Sequence, residues 1–270
     1  MTTFLFWNIL NKQIGGIIHN LAERHNVDVF ILAECQTPGA ILAALNSGNG
    51  SLFYLNQSQS ERIHIFTRGS RIKLTPKRAE SKFVIYKLAI PTYQEIILVA
   101  VHALSGLHAS ETTKHLEAVR LSRIIREVEK EVGHTRTVLV GDLNMNPFEL
   151  GVYAAAAFHA VMTRNKALQK QRKVQGQYYP FFYNPMWGLF GDSLQKPPGT
   201  YYYSRGGHDE FFWHMIDQVL IRPDLLNSFK NEELRIITED GQQSFLYEKS
   251  RLPNQSVASD HLPILFKLNR

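Results

Sequence analysis

The strongest chemical signal in the chain is Val138-Leu139-Val140-Gly141-Asp142-Leu143-Asn144-Met145-Asn146-Pro147. A β-branched, apolar run ends in a glycine, and a carboxylate and an amide follow two residues apart. Strand side chains alternate, so Asp142 and Asn144 leave such a strand on one side. Gly141 lets the backbone approach whatever lies there, and Pro147 stops regular continuation. A carboxylate beside an amide at the tip of a rigid strand suits a bound cation and a phosphate. An ordinary strand-to-loop exit is the alternative, because Asp and Asn are common turn residues.

Other apolar runs end the same way. Residues 3–7 lead to Asn8, 27–33 to Glu34 and 96–101 to His102, while Asp260-His261 precedes a strand over 264–268. Asp217 stands inside Met215-Ile216-Asp217-Gln218-Val219-Leu220-Ile221. A charge there is costly unless paired. His261 is an available partner, and an Asp–His pair fixes the imidazole's tautomer and stabilises its protonated form. Each residue also has a plain structural reading: Asn8 or Glu34 as a helix cap, His102 as a core histidine, Asp217 in a salt bridge, Asp260-His261 as a turn. Together those readings require five strand ends to acquire matched groups by chance.

The elements that must position these residues are an alternation of strands and helices. Ile14, Ile17, Ile18, Leu21 and Ala22 fall at helical spacing. Thr37-Pro38 reads as an N-cap with proline at the first helical position, and that helix stops at 47–50. Short strands over 52–55, 62–67, 72–74 and 83–90 suggest an antiparallel meander, with polar residues 75–81 as a separator. Residues 110–132 form the longest helix, with Arg120, Arg123, Arg126 and Lys130 on a solvated face. A helix is expected over 151–161. Residues 201–203 and 215–221 read as paired strands, 223–229 as a short helix and 234–238 as a strand. Residues 162–200 read as an irregular, packed loop, and the aromatic-rich segment 176–203 is expected to shape the mouth of the site, with core or lid packing as the alternative. No repeat, low-complexity tract or linker interrupts the chain, so a single domain over 1–270 is expected.

Composition narrows the partners. The net charge is +6, with 30 basic against 24 acidic residues. That mild excess is compatible with a phosphate-rich partner. The lone Cys35 excludes an internal disulfide framework and a multi-cysteine zinc site. The N-terminal residues lack the pattern of a secretory signal, and no apolar run approaches the ~20 residues of a membrane span. A cytoplasmic location is therefore expected.

The joint pattern resembles the endonuclease/exonuclease/phosphatase superfamily. The matching pieces are Phe6-Trp7-Asn8, Leu32-Ala33-Glu34, Val101-His102, Gly141-Asp142-Leu143-Asn144 with Pro147, Ile216-Asp217-Gln218-Val219-Leu220 and Ser259-Asp260-His261-Leu262-Pro263. They span nearly the whole chain in order. The resemblance implies an α/β fold, a deoxyribonuclease I-like four-layer α/β/β/α sandwich of two packed mixed sheets with the site at one end. It implies Mg²⁺, with Mn²⁺ as a substitute, held mainly by Glu34 with Asn8 and Asp260. Asp142 would handle the attacking water, Asn144 would hold a phosphate oxygen, and His261, oriented by Asp217, would stabilise the transition state. His102 would contact the phosphate or protonate the leaving group. The chain departs from the family at Ala33, where Gln is frequent, and at Met215 and Gln218, where Arg and Tyr are. The implied activity is metal-dependent phosphodiester hydrolysis, with nucleic acid as the expected substrate. A small or lipid-borne phosphate ester, or a non-catalytic binding module, are the other readings, and protein partners are left open.

Overall fold

The structure is a computed structural model and describes residues 1–48, 50, 52–56, 60–91, 93–105, 109–192, 197–208 and 210–269. The chain begins with β1 (Thr2–Asn8), α1 (Gly15–His25), β2 (Val29–Ala33), α2 (Pro38–Leu45), β3 (Phe53–Asn56) and β4 (Ile63–Arg68). Next come β5 (Lys73–Glu80), β6 (Phe83–Ala89), β7 (Ile96–His102), the long helix α3 (Glu111–Val132) and β8 (Thr137–Asp142). An irregular stretch holds α4 (Leu150–Tyr153), β9 (Ala160–Val161), α5 (Arg164–Ala167), β10 (Gln171–Val174), β11 (Gln177–Pro180) and β12 (Phe182–Tyr183). The chain finishes with β13 (Tyr201–Tyr202), β14 (Trp213–His214), β15 (Asp217–Ile221), β16 (Arg235–Ile236) and β17 (Ile264–Leu268).

One sheet has six strands in the order β16-β17-β1-β2-β4-β3, the other seven in the order β5-β6-β7-β8-β15-β12-β9. Both are mixed: β1 and β2 run parallel, as do β7 and β8, amid antiparallel neighbours. Strand alternation explains the layering. Leu98 and Ala100 of β7 and Val138 and Val140 of β8 share a core with Phe4 and Phe6 of β1, between the sheets. Ile97, Val99, Val101 and Leu139 point the other way and pack on Ala118, Leu121, Ile125 and Val128 of α3. Ile17, Ile18 and Leu21 of α1, with Ile41 and Leu45 of α2, cover the first sheet. The layers are α/β/β/α, the architecture the resemblance implies. Removing this much apolar surface from water is the main force holding the layers together.

Helix α3 starts one residue after Ser110, whose Oγ accepts from the Thr113 N–H at 3.2 Å. Its arginines are less purely solvated than expected. Arg120 pairs with Glu80, Arg123 with Glu127, and Arg126 donates to Ser122 Oγ.

Three expectations change. Strand β5 runs straight through the polar stretch 75–80, because it is a mostly exposed edge strand where a bulge accommodates Pro76. The helix expected over 151–161 is a single turn followed by β9, whose pairing with β12 overrides the helix preference of four consecutive alanines. The partner of Tyr201–Tyr202 is Trp213–His214, not 215–221, which pairs with β8 instead. Residue 49 of the expected helix stop and residues 193–196 of the aromatic segment lie outside the described residues. Among the described residues, no helix is long and apolar enough to cross a membrane.

Candidate active site

The register of the two sheets brings the polar strand ends to one edge. Asn8 ends β1 and Glu34 follows β2, its parallel neighbour. His102 and Asp142 are register partners at the ends of parallel β7 and β8. Strand β15 runs antiparallel to β8, so its first residue, Asp217, faces Asp142. His261 lies just before β17, which runs antiparallel to β1. Asp142 and His102 continue the rows Val138-Val140 and Leu98-Ala100, so both point between the sheets. Gly141 is required by this packing: its φ is +157°, and a Cβ there would lie 2.0 Å from the Val101 carbonyl oxygen. Glu34 and Asn144 both take left-handed backbone conformations, at φ +49°. Such strain in non-glycine residues clusters at functional sites.

A hydrogen-bond network connects the side chains. Asn8 Nδ2 donates to Glu34 Oε1 at 3.1 Å and to Asp142 Oδ2 at 3.2 Å. His102 Nε2 lies 3.2 Å from Glu34 Oε1 and 4.0 Å from Asp142 Oδ2, and its Nδ1 is buried with no hydrogen-bond partner among the described residues. The Asn144 N–H donates to Asp142 Oδ1 at 2.9 Å, while its side-chain amide donates to the Ala103 carbonyl. His261 Nδ1 sits between the two Asp217 oxygens, at 2.9 and 3.1 Å. Lys114 and Asn146 brace the loop after β8 from outside. Lys114 donates to the Asn144 carbonyl and to Glu149, and Asn146 joins Glu149 to His214.

Burial and charge set distinct protonation preferences. His102, by hydrogen bonding, and then Asn8 hold Glu34 down at about 2, against the opposing effect of burial. Burial pushes Asp142 up to about 6, and Asp217 adds to the rise while His261 and His102 oppose it. Burial alone would lower His261, but the Asp217 carboxylate, with Asp142 and Asp260, outweighs it and lifts the imidazole to about 10. Near neutral pH the cluster thus holds an ionised Glu34, a weakly acidic Asp142 and a protonated His261.

The donor set fits a hard cation. Glu34 and His102 line a cleft of about 930 Å³ together with Cys35, Arg62 and His64. Both protein partners of Glu34 meet Oε1, and Asp260 gives only Oδ1 to Ser259, so each carboxylate keeps an oxygen free of the described residues. Carboxylate oxygens with room for water suit Mg²⁺; the Asn8 amide turns Nδ2 to the carboxylates, and its Oδ1 accepts from the Leu10 N–H at 3.1 Å. Asp142, Asp217 and His261 also bring ligand-type atoms within 4.8 Å of one another. There, however, Asp217 spends both oxygens on a protonated imidazole, which cannot coordinate.

Of the residues singled out from the sequence, Asn8, Glu34, His102, Asp142, Asp217 and His261 meet in this network, with Asn144 on its rim. Asp260 turns to a neighbouring pocket beside Tyr201 and Tyr203. The sequence reading missed several supports. Buried Ser259 donates to the Asn8 carbonyl and accepts from the His261 N–H. Thr200 accepts from the Asp217 N–H, Trp7 donates to the His261 carbonyl, and the Tyr201 ring packs 4.8 Å from that of His261. Ser259 could have been found as the third member of Ser259-Asp260-His261; Thr200 carries no local signal. Gln218, where Tyr is frequent, is buried, donates to the Met145 carbonyl and accepts from Asn184.

Solved structures share this architecture over the full chain. A protein of the endonuclease/exonuclease/phosphatase family from Bacteroides thetaiotaomicron superposes with a TM-score of 0.62 at 14% identity, covering 99% of this chain and 94% of that one. D. rerio TDP2, complexed with a single-strand DNA product, gives 0.60 at 13% identity, covering 100% and 99%. The chain has the endonuclease/exonuclease/phosphatase fold. The endonuclease domain of TRAS1, a telomere-specific non-LTR retrotransposon, shares this fold with a TM-score of 0.55 at 13% identity, covering 100% and 99%. No protein-family model and no curated protein sequence matches the chain.

Proposed function

We propose that residues 1–270 form one catalytic domain, a metal-dependent phosphodiesterase that hydrolyses nucleic acid. The observation that carries this reading is the Asp142–Asn8–Glu34–His102 network and the Asp217–His261 pair at a single edge of two packed sheets. Asn8, Glu34 and Asp260 would hold Mg²⁺, directly or through water, and the ion would supply positive charge to the phosphoryl oxygens. Asp142, ionised at neutral pH yet kept basic by burial, orients the attacking water and takes its proton. His261 is protonated and fixed by Asp217, so its remaining N–H donates to a phosphoryl oxygen as charge builds there. Asn144 holds a second oxygen through its amide. His102 contacts the phosphate or protonates the leaving oxygen. Water adds in line, the P–O bond to the leaving group breaks, and that oxygen leaves protonated.

Nucleic acid is favoured as substrate by the net charge of +6 and by aromatic side chains beside the site. Two fold relatives, an endonuclease domain and a protein complexed with a single-strand DNA product, support the same choice. The test incubates the protein with plasmid, single-stranded DNA, RNA and a small phosphodiester, in Mg²⁺ and in chelator. Cleavage of at least one nucleic acid in Mg²⁺ alone is expected. Intact nucleic acids with turnover of the small ester would move the reading to a small or lipid-borne phosphate ester. Binding without turnover of any substrate would replace the enzyme with a binding module.

A further inference from the structure

A second pocket, of about 380 Å³, opens beside Asp260. Tyr201, Tyr203, Arg205, Tyr247 and Gln255 are among its lining residues. The two tyrosines stand two residues apart at β13, so they share a face of the strand. Their rings are almost parallel, at 12°, with centroids 6.5 Å apart. That centroid distance, the upper bound on the gap between the ring planes, is close to twice the ~3.4 Å spacing of stacked bases in a duplex. Tyr201 also packs against His261, so one wall of this gap touches the catalytic pair. The hairpin carrying the rings is braced. Thr200 N–H donates to the His214 carbonyl, and Tyr203 N–H to that of Phe212. Glu210 accepts from the Gly206 and Phe212 N–H groups and meets His214 Nε2.

We propose that Tyr201 and Tyr203 form a slot for the nucleobase next to the scissile phosphate, with Arg205 and Gln255 meeting its polar edge. This deepens the phosphodiesterase reading and rests on it. Aromatic faces stack on any base, so the slot confers a preference for unpaired, base-bearing strands rather than for a sequence. A quaternary ammonium head group is the competing occupant, because aromatic side chains with a carboxylate also attract such cations. Arg205 argues against it: among the described residues no carboxylate pairs with this guanidinium, and it would repel a fixed cation.

The test places 2-aminopurine at one position at a time in a single-stranded oligonucleotide and reads its emission on binding, in chelator so that nothing is cut. Quenching at one position is expected, lost in Tyr203→Ala and retained in Tyr203→Phe. In Mg²⁺, Tyr203→Ala raises KM by about tenfold with little change in kcat. A base-free residue at the quenched position removes that difference. Cleavage of strands with no Tyr203-dependent quenching overturns the slot while leaving the phosphodiesterase reading intact. Tyr203-dependent quenching without cleavage of any ester overturns the phosphodiesterase reading and keeps the slot. Binding of phosphocholine in place of the oligonucleotide, lost in Tyr203→Ala, assigns the pocket to a cation and overturns the proposal.

Discussion

Two aromatic groups flank the same strand, β15, at opposite ends. At its first residue, Asp217, Tyr201 and Tyr203 stand beside His261 and a polar pocket. At its last residue, Ile221, Tyr183 is the register partner, and Phe181 and Phe182 pack next to buried Arg222. The far end is a structural joint: Arg222 forms a buried ion pair with Glu129 and donates to the carbonyls of Pro180 and Phe181. Composition alone treats the two groups alike. Strand direction separates them, because a five-residue strand spans about 16 Å at ~3.3 Å per residue. In the proposed function the polar groups at one end serve a ligand, whereas those at the other end satisfy each other.

This contrast makes activity and stability separable. Asp142→Asn and His261→Ala, at the site end, are expected to lower kcat by about a thousandfold, with an unchanged circular dichroism spectrum. Near-normal rates in both would remove the site assignment. Arg222→Met, at the far end, leaves Glu129 buried without its cation and is expected to cost about 3–5 kcal/mol in urea unfolding. Its rate per folded molecule should stay within about twofold of wild type, a margin as small as that of remote surface changes. Loss of activity without loss of stability would break the comparison.

The pH profile follows from the His261 shift. In the proposed mechanism the protonated imidazole is the working form, and the folded protein lifts it to about 10, above the ordinary 6.5. Activity should therefore persist through pH 6.5–9 and fall as pH rises through about 10. Asp217→Asn removes the foremost attracting carboxylate, so the alkaline limb should move to lower pH. An unmoved limb would mean that some other group titrates there. The smallest effect is expected at Tyr178, which is 61% exposed on the β10–β11 hairpin. Tyr178→Ala should change neither kcat nor KM on any substrate, in contrast to Tyr203→Ala.

The layers and the strand ends were legible in the sequence for one physical reason. Buried strands alternate, so Val138-Val140-Asp142 and Leu98-Ala100-His102 announce both the core face and the polar tip. The pairing of Asp217 with His261 was legible because a lone buried carboxylate needs a partner. What stayed hidden depends on long-range register. The partner of Tyr201–Tyr202 could not be read locally, and β5 is an exposed edge strand whose polar residues resemble a loop. The supports at Thr200 and Trp7 act through single bonds to backbone atoms distant in sequence, and no spacing records such bonds. The aromatic segment looked uniform, yet its two halves serve different ends of β15.

The central claim is that these strand ends form one metal-dependent hydrolytic site, and the most direct test is the initial rate of oligonucleotide cleavage by wild type and Glu34→Gln. Wild type in Mg²⁺ is predicted to cleave, while chelator and Glu34→Gln each stop the reaction without unfolding the protein. Cleavage that persists at a near-normal rate in chelator or in Glu34→Gln would contradict the account.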